Sequence, residues 1–294
     1  MSSSSVIPTA SRALSIAIPA SFIDVRENLA QQTIQIGRIA RAAAIFRVDE
    51  IVVYPDQSSR AQARQRRLIT SILQYMETPQ YLRKYLFAKQ PELRYAGLLP
   101  PLRTPHHPVE KRAQVLRNGD LREGYAFHQK GRAVVDVGVE HLLPLRSPLP
   151  RDAPGRVTVR IERPAEDILE ASLALPGARR EYWGYRVTDT QQPLAEFLSQ
   201  TSAHSLVVAT SRKGTPIRDV WIALQTRWRE AARMLVLFGS HAEGLTEIMR
   251  RQGHELASVA HFVINTIPSQ GVATVRTDEA VMLSLSVLRL LEAL

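Results

Sequence analysis

The chain has no cysteine and only five lysines among its 294 residues. Without cysteine there are no disulfides, no thiolate nucleophile and no cysteine-ligated metal. Long apolar runs are missing too: none approaches the roughly 20 residues needed to span a bilayer. Met1-Ser-Ser-Ser-Ser5 has neither the basic region nor the long apolar region of a signal peptide, so it reads as a frayed tail on a soluble, cytoplasmic protein. Lysine is scarce, but positive charge is not. Beyond Lys84, Lys89, Lys111, Lys130 and Lys213, the other 33 of the 38 basic residues are arginine, and the net charge is +10. Codon bias towards arginine explains that ratio but not the net excess. A basic surface favours polyanions, and arginine adds bidentate phosphate contacts and stacking on bases. Nucleic acid is therefore the expected partner, and the 45% hydrophobic content is ample for a core.

Three apolar runs organise the second half of the chain. Ser205-Leu-Val-Val-Ala209 ends at Thr210-Ser211, Met234-Leu-Val-Leu-Phe238 at Gly239-Ser240, and Phe262-Val-Ile264 at Asn265. Each predicts a buried strand feeding a loop of small residues. Parallel strands with such loops at their C-terminal ends form a crevice for a flat polar ligand; ordinary strand-to-helix turns of an α/β sheet give the same pattern. Nearer the start, Leu14–Pro19 and Val48–Tyr54 read as strands around a helix from Val25 to Phe46, capped by Ser21 or Asp24. That βαβ opening implies a parallel sheet. Lys213-Gly214-Thr215 lacks the upstream glycine of a nucleotide triphosphatase loop.

Between Arg60 and Arg94 eight basic residues face only Glu77 and Glu92, with Tyr75, Tyr81, Tyr85 and Phe87 interleaved. This is a solvated helix face or an RNA surface. Adjacent His106 and His107 point in different directions and lack partners at zinc-like spacing, so no metal is expected. From residue 108 to 164 the pieces Gly124–Phe127, Arg132–Gly138, His141–Leu145 and Arg156–Ile161 are short and β-like, separated by turn residues, and fit a small barrel. Such barrels bind single strands through basic and aromatic side chains. The candidates are Arg117, Arg122, Tyr125, Phe127, Lys130 and Arg132; a purely structural arm is the alternative.

Three segments carry a family resemblance. Ile264-Asn-Thr-Ile-Pro-Ser-Gln-Gly-Val-Ala-Thr-Val-Arg-Thr-Asp-Glu-Ala280 resembles the last motif of the SPOUT RNA methyltransferases, Leu237-Phe-Gly-Ser-His-Ala-Glu-Gly-Leu245 the middle motif, and Ile36-Gly-Arg-Ile-Ala-Arg-Ala-Ala-Ala-Ile-Phe-Arg-Val-Asp-Glu-Ile51 the first. Their order is that of the family. The subfamily that the chain most resembles carries an oligonucleotide-binding-fold insertion. The resemblance implies an α/β Rossmann-like parallel sheet with a C-terminal deep trefoil knot, formed by residues 1–107 and 165–294 and interrupted by an RNA-binding barrel at 108–164.

The resemblance also implies S-adenosylmethionine as cofactor, ribosomal RNA as substrate and a homodimer meeting at the knots. The final helix, Thr277–Leu291, has more apolar surface than one packing face needs, and a dimer would bury the excess. The implied cofactor contacts are Thr210, Gly239, Ser240, Gly244, Ile267, Pro268, Gln270 and Val275. Arg38, Arg64 and Arg67 are expected on RNA. Gly37 and Arg41 match the first motif of the ribose-methylating relatives, where the arginine acts at the catalytic centre; the same arginine could instead pair with a carboxylate or a phosphate. Gln35 replaces that motif's Asn, Ser240-His241 replaces Asn-Glu, and Thr274-Val275-Arg276 replaces Ser-Leu-Asn. These changes favour a base nitrogen, such as uridine N3, over a ribose hydroxyl. His241 could act as a base near neutral pH or be an exposed loop histidine. Arg276 could orient the base or a phosphate, or pair with Asp278 or Glu279 at the start of the helix.

Overall fold

The first apolar run is strand β1 (Ala13–Pro19), buried from Leu14 onward. Helix α1 (Leu29–Ile45) follows, then β2 (Glu50–Tyr54), buried throughout. The helix begins later than the candidate caps imply, because both are engaged elsewhere. Ser21 bonds Asp56 through its hydroxyl and its N–H, and Asp24 accepts from Arg26 at 2.7 Å. The cap is Asn28, whose Oδ1 accepts from the Gln31 N–H at 3.0 Å while the Gln31 side chain accepts from the Asn28 N–H at 3.1 Å. This reciprocal box satisfies two otherwise unpaired donors. Asn28→Ala is expected to cost about 1 kcal/mol, measurable as a lowered urea midpoint with an unchanged slope.

The chain continues through α2 (Arg60–Glu77), α3 (Arg83–Leu86), and five strands: β3 (Leu121–Gln129), β4 (Arg132–Asp136), β5 (Leu143–Pro144), β6 (Gly155–Glu162) and β7 (Glu170–Leu173). After β8 (Arg186–Asp189) come α4 (Leu194–Ser199), β9 (Ser205–Pro216), α5 (Ile217–Glu230), β10 (Arg233–Leu237), α6 (Leu245–Arg251), α7 (Leu256–Val259), β11 (Phe262–Asn265) and α8 (Thr277–Ala293). The computed structural model describes residues 12–24, 26–57, 60–149, 154–163, 169–175, 177–179, 181–200 and 205–293; the Met1–Ser5 tail and Val25 lie outside them. Among the described residues no helix is long and apolar enough to cross a membrane. The described residues up to Leu73 and from Tyr185 onward pack as one unit, and Gln74–Gly184 as a second.

The first unit is built on a six-stranded sheet in the order β11-β9-β10-β1-β2-β8, with every pairing parallel. Consecutive valines, leucines and isoleucines in β2, β9 and β10 suit strands covered on both faces. Tyr54, Leu194, Leu235, Leu237, Leu245, Ile248 and Met249 share one core cluster. Helix α8 packs against both α1 and α5. The sheet places the C-terminal ends of β9, β10 and β11 side by side.

The second unit holds a five-stranded antiparallel sheet in the order β5-β4-β3-β6-β7. It draws its fifth strand from beyond residue 164. A parallel bridge between Leu145 and Ala171 joins the two ends of that order. Inside lie Ala126, Val135, Leu143, Val159, Ile161 and Ala171. Gly124 makes room for the neighbouring strand, since a Cβ there would stand 2.4 Å from Val135 Cγ2. Arg122, expected on an RNA surface, is buried. Its guanidinium donates to the carbonyls of Val137 (3.3 Å) and Glu110 (3.0 Å). It alternates inward with Gly124 and Ala126, the period-two geometry of a strand.

Within this unit Arg156, on β6, joins two carboxylates, the buried Glu123 and the largely buried Glu77. It grips Glu77 with both terminal nitrogens (2.5 and 2.9 Å) and Glu123 through Nε (2.6 Å). Glu123 also accepts from Thr158 and from the Trp183 indole, each at 2.6 Å. His106 and His107 both direct Nε2 at the Glu77 carbonyl oxygen, at 2.9 and 2.7 Å. Burial beside His106 lowers His107 to about 4.

Candidate active site

Strand β9 sets the geometry. It pairs with β10 through Ser205–Ala209 and with β11 at two separate places. The register jumps so that Val263 faces Ala209 but Ile264 faces Thr215. Residues 210–214 therefore leave the ladder and return to it. Gly214 makes this possible: a Cβ there would lie 2.7 Å from the Ile264 carbonyl carbon. Thr210 Oγ1 donates to the Leu237 carbonyl (2.9 Å), tying this excursion to the end of β10. Asn265 Nδ2 donates to the Arg212 carbonyl (2.9 Å) and Arg212 donates to the Ala273 carbonyl (2.6 Å), tying it to the loop after β11.

The loop after β10 is equally constrained. Tyr54, whose hydroxyl is buried, donates to the Phe238 carbonyl at 2.7 Å. Ser240 N–H donates to the Glu243 carbonyl and Glu243 N–H to Ser240 Oγ, both at 3.0 Å. Gly244 then caps α6. At Gly239 a Cβ would come within 3.0 Å of Glu243 O and Leu245 N. The third loop closes onto the second, since Thr277 Oγ1, at the start of α8, donates to the Gly239 carbonyl at 3.0 Å. Thr266 and Ser284 are bonded through their hydroxyls at 2.7 Å.

Together the three loops enclose a cavity of about 410 Å³. Thr210, Gly239, Ser240, Gly244, Ile267, Gln270 and Val275 are all on its wall; Pro268 is exposed and off it. The rim carries Arg212 and Lys213 on one segment and Glu243 and Glu247 on another. His241 lines this cavity and also a second, smaller cleft of about 30 Å³, with Arg276, Glu27, Gln35 and Asp278. There Glu27 bridges two side chains, accepting from Gln35 Nε2 (2.6 Å) and from Arg276 Nη2 (3.2 Å). Asp278 is buried and pairs with Arg38 at 3.1 Å. Asp24 also lines the cleft, and the Arg26 hydrogen bond lowers its carboxyl to about 2. The Arg276 side chain pairs with Glu27 rather than with Asp278 or Glu279. Its backbone N–H donates to Glu279 instead, at 2.9 Å.

The other candidates are dispersed. Arg41 is half-buried on α1 and on neither cavity wall. Arg64 and Arg67 are exposed on α2. In the second unit Arg117, Lys130 and Arg132 are exposed, while Tyr125 stacks on Tyr85 with ring centres 4.5 Å apart and planes 4° from parallel. Glu27, Glu243 and Glu247 stand at the site without having been singled out in the sequence, and Asp278 was named only as a possible partner of Arg276. Asp278 had a signal, as an acid in the first turn of the last helix. Glu27 had none, lying in the irregular stretch before α1.

The family described as "Putative RNA methyltransferase" matches residues 13–288. The chain belongs to that family. A 28S rRNA (uridine-N(3))-methyltransferase of Drosophila melanogaster is 31% identical over 94% of this chain and 61% of its own length. The human protein of the same description is 31% identical over 94% of this chain and 77% of its own. An uncharacterized protein of Haloarcula marismortui is 32% identical over 95% of this chain and 99% of its own. The chain thus spans under two thirds of the length of the fly relative. Among solved structures, the SpoU methyltransferase AviRb from Streptomyces viridochromogenes, in complex with AdoMet, matches with a TM-score of 0.32 at 12% identity, covering 97% of this chain and 63% of that one.

Proposed function

We propose that this family member transfers a methyl group from S-adenosylmethionine to a base nitrogen of ribosomal RNA, and that the acceptor is uridine N3. The carrying observation is the cavity bounded by the loops after β9, β10 and β11, with His241 shared between it and the adjoining cleft. The cavity fits the cofactor. Its volume lies within the ~300–1,000 Å³ range of ligand sites, and Gly239 lets backbone form its floor. The Arg212 and Lys213 cations and the Glu247 carboxylate on its wall suit an amino-acid zwitterion, while Glu243 is held by Arg251 at 2.6 Å. The reaction named for the fly and human relatives supports uridine N3.

When bound, the cofactor supplies an electrophilic methyl on a sulfonium. The chain must then hold N3 in line and accept its proton. His241, on the wall common to both spaces, is the assigned base. Arg276, anchored by Glu27, is assigned to a carbonyl oxygen of the uracil, where negative charge gathers as the proton leaves. Arg41 lies off both walls of its own chain, and a role for it requires a partner copy. Leu283 and Leu290, seven residues apart on α8 and about half exposed, together with the largely exposed Ile222 on α5, would be covered in such a homodimer.

On this reading the segment after β11, strapped between the other two loops, is the threaded part of a trefoil knot. The five-stranded unit, whose end strands meet through Leu145 and Ala171, is an oligonucleotide-binding barrel. Arg117, Tyr125, Lys130 and Arg132 are its assigned RNA contacts, and Arg38, Arg64 and Arg67 those of the first unit. Arg122 is not among them.

The test is transfer of labelled methyl to large-subunit ribosomal RNA from a strain lacking the enzyme, followed by nucleoside mass spectrometry. The expected product is 3-methyluridine. Arg276→Ala is expected to lower kcat by about 100-fold while leaving cofactor affinity within a few-fold. Methyl recovered on ribose 2′-oxygen overturns the acceptor assignment. Cofactor binding without transfer to any RNA leaves an RNA-binding protein that retains the fold.

A further inference from the structure

We infer that the stretch from Tyr75 to Lys111 in the second unit forms a track for single-stranded RNA, made of two cavities with a common wall at Arg83. The occupant's class rests on the RNA reading above; the location is argued from this unit alone. The first cavity, of about 660 Å³, carries Lys84, Lys89 and Arg94 with the rings of Tyr75 and Phe87. The second, of about 500 Å³, carries Arg103, His107 and Lys111. Neither is lined by an acidic side chain. Lys84 is partly neutralised by Asp136 at 2.9 Å. Lys89, Arg94, Arg103 and Lys111 are exposed, and among the described residues they enter no ion pair.

Arg83 holds the shared wall in place. Its Nε donates to the Thr78 carbonyl at 3.1 Å, and its guanidinium lies 4.1 Å from the centre of the Tyr75 ring. Phe87 meets Tyr75 edge-on at 5.3 Å. Arg103 has a φ of 55°, the left-handed region that residues with a side chain rarely adopt. It stands at the rim of the second cavity in that uncommon conformation. Each cavity falls within the volume range of ligand sites, and their junction at Arg83 matches successive units of one chain better than two separate ligands.

Charge alone would attract any polyanion. The rings argue for unpaired bases, because aromatic side chains set in a cavity reach a base face only when the strand is single. Phosphates would lie on the four unpaired cations, with a base against Phe87 and Tyr75. Tyr125 and the other barrel residues assigned above line neither cavity, although Tyr85, within the same stretch, stacks on Tyr125.

The test is fluorescence anisotropy of the full chain with a labelled single-stranded oligouridylate and with a hairpin of equal length. Lys89→Glu with Arg94→Glu, and Arg103→Glu with Lys111→Glu, are each expected to weaken single-strand binding at least tenfold. Each pair should reduce the slope of log affinity against log salt by about 1.4, the value for two phosphates on a single strand. Phe87→Ala should weaken the oligouridylate about tenfold and leave the hairpin unchanged. A pair of equal charge change in the other unit, Arg218→Glu with Arg250→Glu, is expected to alter binding less than threefold. Wild-type binding that the reversals leave within threefold overturns the track and spares the RNA reading, as does a preference for the hairpin. No wild-type binding to either RNA overturns both.

Discussion

Gly239→Arg is expected to abolish binding of S-adenosylmethionine and of its demethylated product. Gly239 stands where three loops meet. Its carbonyl accepts from Thr277, and its Cα faces backbone atoms of Glu243, Gly244 and Leu245 at about 3 Å from where a Cβ would sit. None of those neighbours is a flexible side-chain end that can swing away. A side chain there must displace the backbone of residues 243–245, which itself lines the cavity. Calorimetric titration should show micromolar binding by the parent protein and none by the variant at millimolar ligand. That is a loss of about 1,000-fold, or about 4 kcal/mol. The parallel sheet lies behind the loop and keeps its core, so hydrogen exchange in β1 and β10 should be unchanged. Equal affinities within a few-fold would move the cofactor out of this cavity.

The second large effect is on stability. Arg156→Met leaves Glu77 and Glu123 without their shared cation. Glu123 is only 3% exposed and Glu77 12%, so neither can recover full hydration. Removing one partner of a buried pair costs about 3–5 kcal/mol. With Arg156 itself 26% exposed, about 3 kcal/mol is expected. The pH dependence gives a sharper check. Burial pushes Glu77 up, but hydrogen bonds from His106 and Arg156 outweigh it and hold the carboxyl below its ordinary value. Burial likewise raises Glu123, and the Arg156 charge with the Thr158, Arg156 and Trp183 hydrogen bonds lowers it further than burial lifts it. Both contributions are fully present above the ordinary value of 4.5 and are lost as pH falls through the lowered folded values. In the variant Glu77 keeps His106, and Glu123 keeps Thr158, Trp183 and the more distant Arg179, so burial is less fully offset and protonation relieves more of it. The gap between parent and variant should be widest at neutral pH and should close on acidification. Native-state hydrogen exchange of β3 and β6 amides reads this within the second unit; a gap that does not change between pH 7 and 4 would refute it.

The strands of the first unit were legible because both-face burial leaves unbroken runs of β-branched and leucine residues, as in Ser205–Ala209 and Met234–Leu237. The small-residue loops were legible for a related reason, since a tight return of the chain selects glycine, serine and threonine. The start of α1 was not. Ser21, Asp24 and Asn28 are all competent caps, and the choice depends on Asp56 and Arg26 occupying the first two. Arg122 misled for a different reason: its charge suggested a surface, whereas strand alternation beside Gly124 and Ala126 put it inside. Carbonyl acceptors at Val137 and Glu110 make that burial tolerable, and local sequence does not disclose them. Glu27 was hidden because its role depends on Arg276, some 249 positions away in the chain.

The fastening of Thr277 to Gly239, and of Arg212 to Ala273, has a consequence for how long the protein persists. The stretch from Thr266 through α8 supplies one wall of the cavity and also covers α1 and α5. A local opening that lifts this stretch therefore dismantles the site. Conversely, whatever fills the site disfavours that opening by its own binding free energy, about 2.7 kcal/mol at a concentration one hundred times the Kd. Occupancy thus acts as a clasp on the last helix. The exposure of that helix to proteases, and with it the turnover of the protein, becomes tied to the supply of the small molecule in the cavity.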